Sequence, residues 1–375
     1  MRGALRLAAI LSAAGTVSPA AAEAVPLFAR RYGVKCGECH VAPPKLNAAG
    51  EAFLARGYAL RDVAPRRTWP FAVWVSSRAE AGPAVARERP FANRIEIISG
   101  GRLAANLSYF VEWRALSLEP RSDGTLRDRS GRFEDLFLVG TAGRADVTVG
   151  QFRLINQVDV SRRLGLGEPL VLSASLAGES AGTPRRTSLR SFSPAGRSPA
   201  FRVAYTAPLR GEWRWTASAA VPLPGELSLP VTDEARVEAS NELEWRPKGL
   251  VLETFARRGL FSAGGHMFYD HGDRFLIHVL TTGSRGPIHW TAAAGAARQA
   301  GVTRGRWSLE AEYLRWSAAG GGVRVEDQAA DPLRPAVLVF VNTHFPGTRY
   351  TVRLTVEQRM QAGRGATFLE LGAVF

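Results

Sequence analysis

The chain contains only two cysteines, and they sit together with a histidine: Cys36-Gly37-Glu38-Cys39-His40. C-x-x-C-H is the spacing of c-type haem attachment. Two thiols add to the two vinyl groups of one porphyrin, and the adjoining imidazole reaches the iron as proximal ligand. Three other chemistries use paired cysteines. A structural disulfide is one, a thioredoxin-like redox pair expects a βαβ setting, and a zinc site needs further Cys or paired His ligands at regular spacing. The sequence offers neither the βαβ pattern nor the extra ligands. One covalent haem c is therefore expected, with Cys36 and Cys39 as anchors and His40 on the iron.

Between His40 and Trp69 there is no Met and no second His. A second axial ligand must come from farther along the chain, or the iron is five-coordinate. Five histidines remain: His266, His271, His278, His289 and His344. Of these, His266 and His344 are the distal candidates, expected with His271 near periplasmic strand ends or turns. His278 is expected mid-strand facing inward, and His289 toward the outer rim. Met267 and Met360 are expected to face lipid. No Ser/His/Asp or metal-hydrolase constellation appears, so bond-making catalysis is not indicated and electron transfer is the chemistry in view.

These residues need a scaffold, and the segment that carries them is short. Residues 1–22 read as a secretory signal: Arg2 and Arg6, an apolar stretch from Leu7 to Val17, then Pro19 before Ala20-Ala21-Ala22 as a cleavage site. Residues 23–68 form the haem-binding segment. One helix is expected from Ala48 to Leu60, with Asn47 as N-cap and Gly57 near its end. About 45 residues cannot bury a haem unaided, so the segment must dock on, or insert into, the remainder of the chain.

From residue 69 to 375 the pattern has period two. Leu107, Tyr109, Val111 and Trp113 alternate with Asn106, Ser108, Glu112 and Arg114. Residues 236–246 alternate Arg and Glu with Val237, Ala239, Leu243 and Trp245. Tyr350, Val352, Leu354 and Val356 alternate with Arg349, Thr351, Arg353, Thr355 and Glu357. Such alternation marks strands with one apolar and one polar face. Charge this dense is wrong for a sandwich interior and suits either solvent or a water-filled lumen.

The fold expected is all-β: an antiparallel transmembrane β-barrel of about sixteen strands, with short periplasmic turns and longer outer loops. One of those strands is placed over 234–246. Residues 318–334 and 154–197 are read as outer loops, the latter either folding into the lumen or covering the outer mouth. Short connections near 259, 284–286 and 361–363 fall on the outer side, against the rule. Lumenal Arg236, Arg349 and Arg353 are expected to pair with Glu238, Glu242, Glu310, Glu312 and Glu357, or with haem propionates. The chain ends on Phe375, with Ala373, Leu371 and Leu369 at alternate positions, in the manner of outer-membrane barrels.

The formal net charge is +14, from 48 basic and 34 acidic residues. The basic residues are spread along the chain and interleaved with Glu, without the patch or stripe that a nucleic-acid footprint requires. No nucleic-acid partner is expected.

The run Phe28-Ala29-Arg30-Arg31-Tyr32-Gly33-Val34-Lys35, the haem motif, and then Ala42-Pro43-Pro44-Lys45-Leu46-Asn47, Gly50, Ala52-Phe53 and Gly57-Tyr58 resemble the N-terminus of outer-membrane monohaem cytochrome–porin fusions. The resemblance covers roughly residues 26–60; beyond them it is one of architecture. It implies a bacterial outer-membrane electron-transfer protein, with Cys36 and Cys39 as thioether anchors and His40 as proximal ligand. Members of that family are linked to extracellular iron(II) oxidation. The implied partners are outer-membrane lipid, an extracellular electron donor such as iron(II), and a periplasmic electron carrier such as a soluble cytochrome. Two alternatives stand beside it: a diffusion porin with a structural haem-bearing plug, and a soluble periplasmic haem protein.

Overall fold

The computed structural model describes residues 26–42, 44–60, 63–66, 68–81, 89–120, 126–154, 164–166, 197–223, 225, 227–229, 249–270, 274–299, 301–316, 319–327, 335–346, 351–361 and 364–375. Sixteen antiparallel strands close into one barrel. They are β1 (Phe71–Ala81), β2 (Arg89–Ala104), β3 (Leu107–Pro120), β4 (Phe133–Ala142), β5 (Ala145–Arg153), β6 (Arg197–Pro208), β7 (Arg214–Pro222) and β8 (Gly249–Arg258). The second half comprises β9 (Phe261–Asp270), β10 (Arg274–Arg285), β11 (Ile288–Gln299), β12 (Val302–Trp316), β13 (Ala319–Glu326), β14 (Ala336–Pro346), β15 (Thr351–Gln361) and β16 (Arg364–Val374). A three-residue strand, Leu126–Asp128, extends the outer end of β3.

Each strand pairs with its sequence neighbour, and β16 pairs with β1 to remove both edges. The closure extends past β16, because the Phe375 and Val73 backbones exchange hydrogen bonds at 3.0 and 3.2 Å. Among the described strands no backbone edge is left open to lipid, where an unsatisfied N–H or C=O costs several kcal/mol.

The alternation divides the wall into two faces. On β12, Arg306, Ser308, Glu310, Glu312 and Leu314 are buried inward, while Leu309 and Tyr313 are exposed outward. On β10, Leu276, His278 and Leu280 point in, and Ile277 and Val279 point out. Leu369, Leu371 and Phe375 are outward on the last strand, and Met360 is outward on β15. The outer surface is an apolar belt suited to lipid. The charged groups inside are neutralised across strands. Arg324 lies 3.2 Å from Glu310 and 3.3 Å from Glu326, and Arg359 lies 3.0 Å from Glu326.

The strand count matches the sequence expectation, but one member differs. The strand expected over 234–246 lies outside the described residues, and β7 pairs directly with β8. The sixteenth wall strand is β13, inside a stretch expected as an outer loop. Its sequence, AGGGVRVE, carries little strand signal because three glycines lower β-propensity. Tertiary packing requires them. A Cβ on Gly322 would lie 2.6 Å from the Phe340 ring, and one on Gly320 would lie 2.6 Å from Leu164. Glycine here lets lumenal side chains pack onto the wall.

This change moves the turns at 259–260 and 286–287 to the end of the barrel where β1 begins and β16 finishes, the periplasmic end by its short turns. The sequence expectation has them on the outer side. His289, at the start of β11, is accordingly at the periplasmic rim and not the outer one. His266 moves from an expected strand end to the middle of β9, and His271 lies outside the described residues.

Candidate functional site: the plug at the periplasmic mouth

Residues 26–42 and 44–60 lie inside the periplasmic mouth. Helix α1 (Pro26–Tyr32) leads into a short 3-10 turn over Cys36–Glu38, then a two-stranded hairpin (His40–Ala42 with Lys45–Leu46), then helix α2 (Ala48–Ala55). Asn47 caps α2 as the sequence implied, its side-chain oxygen accepting from Gly50 N at 3.0 Å. The same side chain donates to the Gly37 and Glu38 carbonyls at 3.2 and 3.0 Å, so the cap also holds the cysteine turn. The helix is shorter than expected, ending at Ala55. Gly57 (φ +64°) turns the chain onto the wall, where Ser108 donates to the Arg56 carbonyl at 3.1 Å.

The turn and α2 touch backbone to backbone. A Cβ on Gly50 would lie 2.0 Å from the Cys39 carbonyl oxygen. Only glycine permits that approach.

Neither cysteine is in a disulfide; Cys36 is buried and Cys39 half-buried. Burial and the adjacent Glu38 carboxylate hold the Cys39 thiol above its ordinary value. His40 Nδ1 donates to the Pro44 carbonyl at 3.2 Å. That bond fixes the tautomer and leaves Nε2 as the metal-binding atom. Burial pushes the His40 pKa down to about 4, against the upward pull of the Pro44 and Lys45 backbone, so the ring is neutral, the form that binds a metal. Two thiols and one neutral imidazole on a short, ordered turn can take a porphyrin.

The plug is fastened to the wall by apolar packing and by charge. Tyr58 stacks on Phe110 of β3 at 4.0 Å and on Phe28 of α1 at 5.2 Å; Phe28 meets Phe53 edge-on at 5.0 Å. Val41 and Ala42 pack with Leu314 of β12, Phe340 of β14 and Leu164. Arg31 donates to the Gly100 carbonyl at 2.9 Å, Arg30 to the Phe71 carbonyl at 3.1 Å, Arg257 of β8 pairs with Glu51 at 2.8 Å, and Lys45 pairs with Glu312 of β12. Phe340 lies at the middle of β14, and the other wall partners in this group lie toward the periplasmic ends of their strands. Of the long segment 154–197, the described residues Leu164–Leu166 are in the lumen. Leu164 N donates to Glu312 and Leu166 N to Glu357, each at 2.7 Å.

The two distal candidates separate. His344 is buried on the inward face of β14, near its periplasmic end and on the same face as Phe340, against which the His40–Ala42 strand packs. Its Nδ1 is buried without a hydrogen-bond partner. His266 is instead paired across the wall with His278 and with Glu253. Lumenal Arg353 is present on β15, whereas Arg236, Arg349, Glu238 and Glu242 lie outside the described residues. Sequence reading missed the acidic cluster Glu96, Glu112 and Glu134, whose carboxylates lie within 4.8 Å of one another. Arg114 and Arg197 are interleaved with it, at 3.7 Å from Glu96 and 3.4 Å from Glu112, which makes it an ion-pair layer of the lumen.

No family model matches the chain, and no curated protein matches it. Among solved structures it is similar to OmpF of Salmonella typhi, solved in complex with daunomycin: 8% identity, 81% of this chain and 97% of that chain, TM-score 0.54. It also matches an anion-selective porin from Comamonas acidovorans (12% identity, 81% and 97%, TM-score 0.48) and OprB of Pseudomonas putida (10% identity, 88% and 96%, TM-score 0.47). At such identities the likeness is one of fold, and the first carries it. The chain is a porin-like barrel of the bacterial outer membrane.

Proposed function

We propose that this barrel carries electrons across the outer membrane through one covalent haem c held by its plug. The observation that carries the reading is the C-x-x-C-H turn set into the periplasmic mouth, with His40 Nδ1 engaged by Pro44 and Nε2 left for iron. Cys36 and Cys39 would hold the group and His40 would be its proximal ligand. Of the two distal candidates, His344 is the one on the lumenal face of β14, the face whose Phe340 packs with Val41 and Ala42. When bound, the group supplies a one-electron couple between an extracellular donor and an oxidised periplasmic carrier such as a soluble cytochrome. With iron(II) as donor, one electron leaves and iron(III) remains outside. The chain's own part is to hold the group at a fixed depth, keep lipid away, and place it where a carrier can approach from the periplasm.

A second reading is favoured by the porin-like fold: a diffusion channel whose plug is structural. Two measurements on purified protein separate them. A covalent haem spectrum whose reduced α-band grows when iron(II) is added supports the conduit, and haem unresponsive to iron(II) moves the donor elsewhere. A wide, steady solute conductance in planar bilayers favours the channel. For the distal ligand, His344→Ala is expected to convert a low-spin haem spectrum to high-spin; an unchanged spin state removes His344 from the iron.

A further inference from the structure

We propose that the periplasmic face of the barrel is a docking surface for a soluble protein with an acidic face, and that a cleft between Arg56 and Arg102 receives one of that protein's carboxylates. The partner's role as electron acceptor rests on the conduit proposed above; the charge it must carry does not.

Turns and plug build this surface together. Among the described residues of the periplasmic turns, Arg144, Arg210, Arg214, Arg258 and Arg285 are exposed. Arg66 is exposed on the plug. Its backbone N–H donates to the Arg31 carbonyl at 2.6 Å, and its guanidinium lies over Gly33, where a Cβ would be 2.3 Å away. The described acids at this end are already engaged. Glu212 pairs with Arg258 at 3.3 Å, and Glu51 with Arg257 at 2.8 Å. Asp146 accepts from Thr141 at 2.6 Å, and Glu38 accepts from the Lys35 backbone at 3.3 Å. The described face thus carries an excess of positive charge. Neighbouring charges of one sign act together over a Debye length of about 8–10 Å and steer an oppositely charged partner.

The cleft supplies an anchor. Arg56 and Ala59 of the plug, Arg102 of β2, Asn106 of the β2–β3 turn, and Thr141 and Gly143 at the β4–β5 turn line an opening of about 170 Å³. Both guanidinium-bearing residues are half-buried, and no acid is among the described residues lining the cleft. The planar fork of Arg matches a carboxylate in geometry as well as in charge. The Arg56 backbone is held to the wall by Ser108, so that residue is positioned before any partner arrives. Lipid phosphates are the other anions at this depth. They surround the barrel, whereas Arg56 and Arg66 belong to the plug within the ring of strands. A partner that meets plug and turns at once comes from the periplasm.

The test is equilibrium binding of two soluble cytochromes c, one acidic and one basic on its surface, to the full chain in discs of zwitterionic phospholipid. The acidic one is expected to bind saturably, and roughly tenfold more weakly as ionic strength rises from about 0.01 M to about 0.15 M. Arg56→Gln combined with Arg102→Gln should weaken binding on the order of tenfold, and Arg144→Glu with Arg210→Glu should slow association. Arg298→Gln, exposed at the outer end of β11, should do neither. Heat-modifiable migration confirms that each variant is a closed barrel. Equal binding of the basic cytochrome, or binding indifferent to salt and to both double variants, overturns the docking surface. Loss of binding when anionic lipid is added to the discs also overturns it, and assigns the arginines to headgroups. The readout is binding alone, so its failure leaves the haem reading untouched, and a chain without haem can still pass it.

Discussion

The Lys45 ammonium, on the hairpin just after the haem motif, is ion-paired with the Glu312 carboxylate of β12. The other oxygen of the same carboxylate accepts from Leu164 N at 2.7 Å. One wall residue therefore fastens both the plug and the descending segment 164–166, and both partners of the pair are nearly buried.

Glu312→Gln leaves a buried ammonium without its counter-charge, a loss on the order of 3–5 kcal/mol. The expected result is a looser plug: faster limited proteolysis near Lys45 and larger conductance in bilayers. Lys45→Met combined with Glu312→Gln should recover part of the loss. Equal proteolysis rates in Glu312→Gln and wild type would show that the pair does not anchor the plug.

Gly50→Ala puts a methyl group against the Cys39 carbonyl. Since that atom is backbone and tied into the hairpin, it cannot move without displacing the cysteine turn. Covalent haem incorporation, read as haem absorbance per folded barrel, is expected to fall severalfold while the barrel still forms. Incorporation at wild-type level would mean the helix can shift freely.

Tyr58→Ala removes a ring stacked between Phe110 and Phe28. Large-to-small changes of this kind cost about 3–5 kcal/mol. Here the loss falls on plug docking, so hydrogen exchange should quicken across α1 and α2 and remain unchanged in β8–β12. Uniform quickening through the barrel would instead tie the ring to global stability.

Leu309→Arg places a charge on the lipid face at the centre of β12. At the bilayer midplane this costs about 2–4 kcal/mol. Refolding into vesicles should show that loss, whereas Leu309→Ala should show much less. Matching losses for the two variants would argue that this face is not in lipid.

The sequence by itself determined the period-two wall, because alternation comes from strand geometry and needs no partner. It singled out Cys36, Cys39 and His40 as the expected haem-attachment group, because their spacing is local chemistry. It also gave Asn47 as a cap, since capping is decided within one turn. Only the tertiary structure decided that β13 is a wall strand, since its glycines signal nothing until Phe340 and Leu164 pack onto them. That exchange reversed the direction of the strands between, moving His289 to the periplasmic rim, while His266 sits in the middle of β9. His344 came onto the strand face that packs against the His40–Ala42 strand, and His266 came opposite His278, through pairings between strands and plug. Those pairings join residues far apart in sequence, and side-chain alternation along one strand says which way a residue points, never which residue of another strand it will meet.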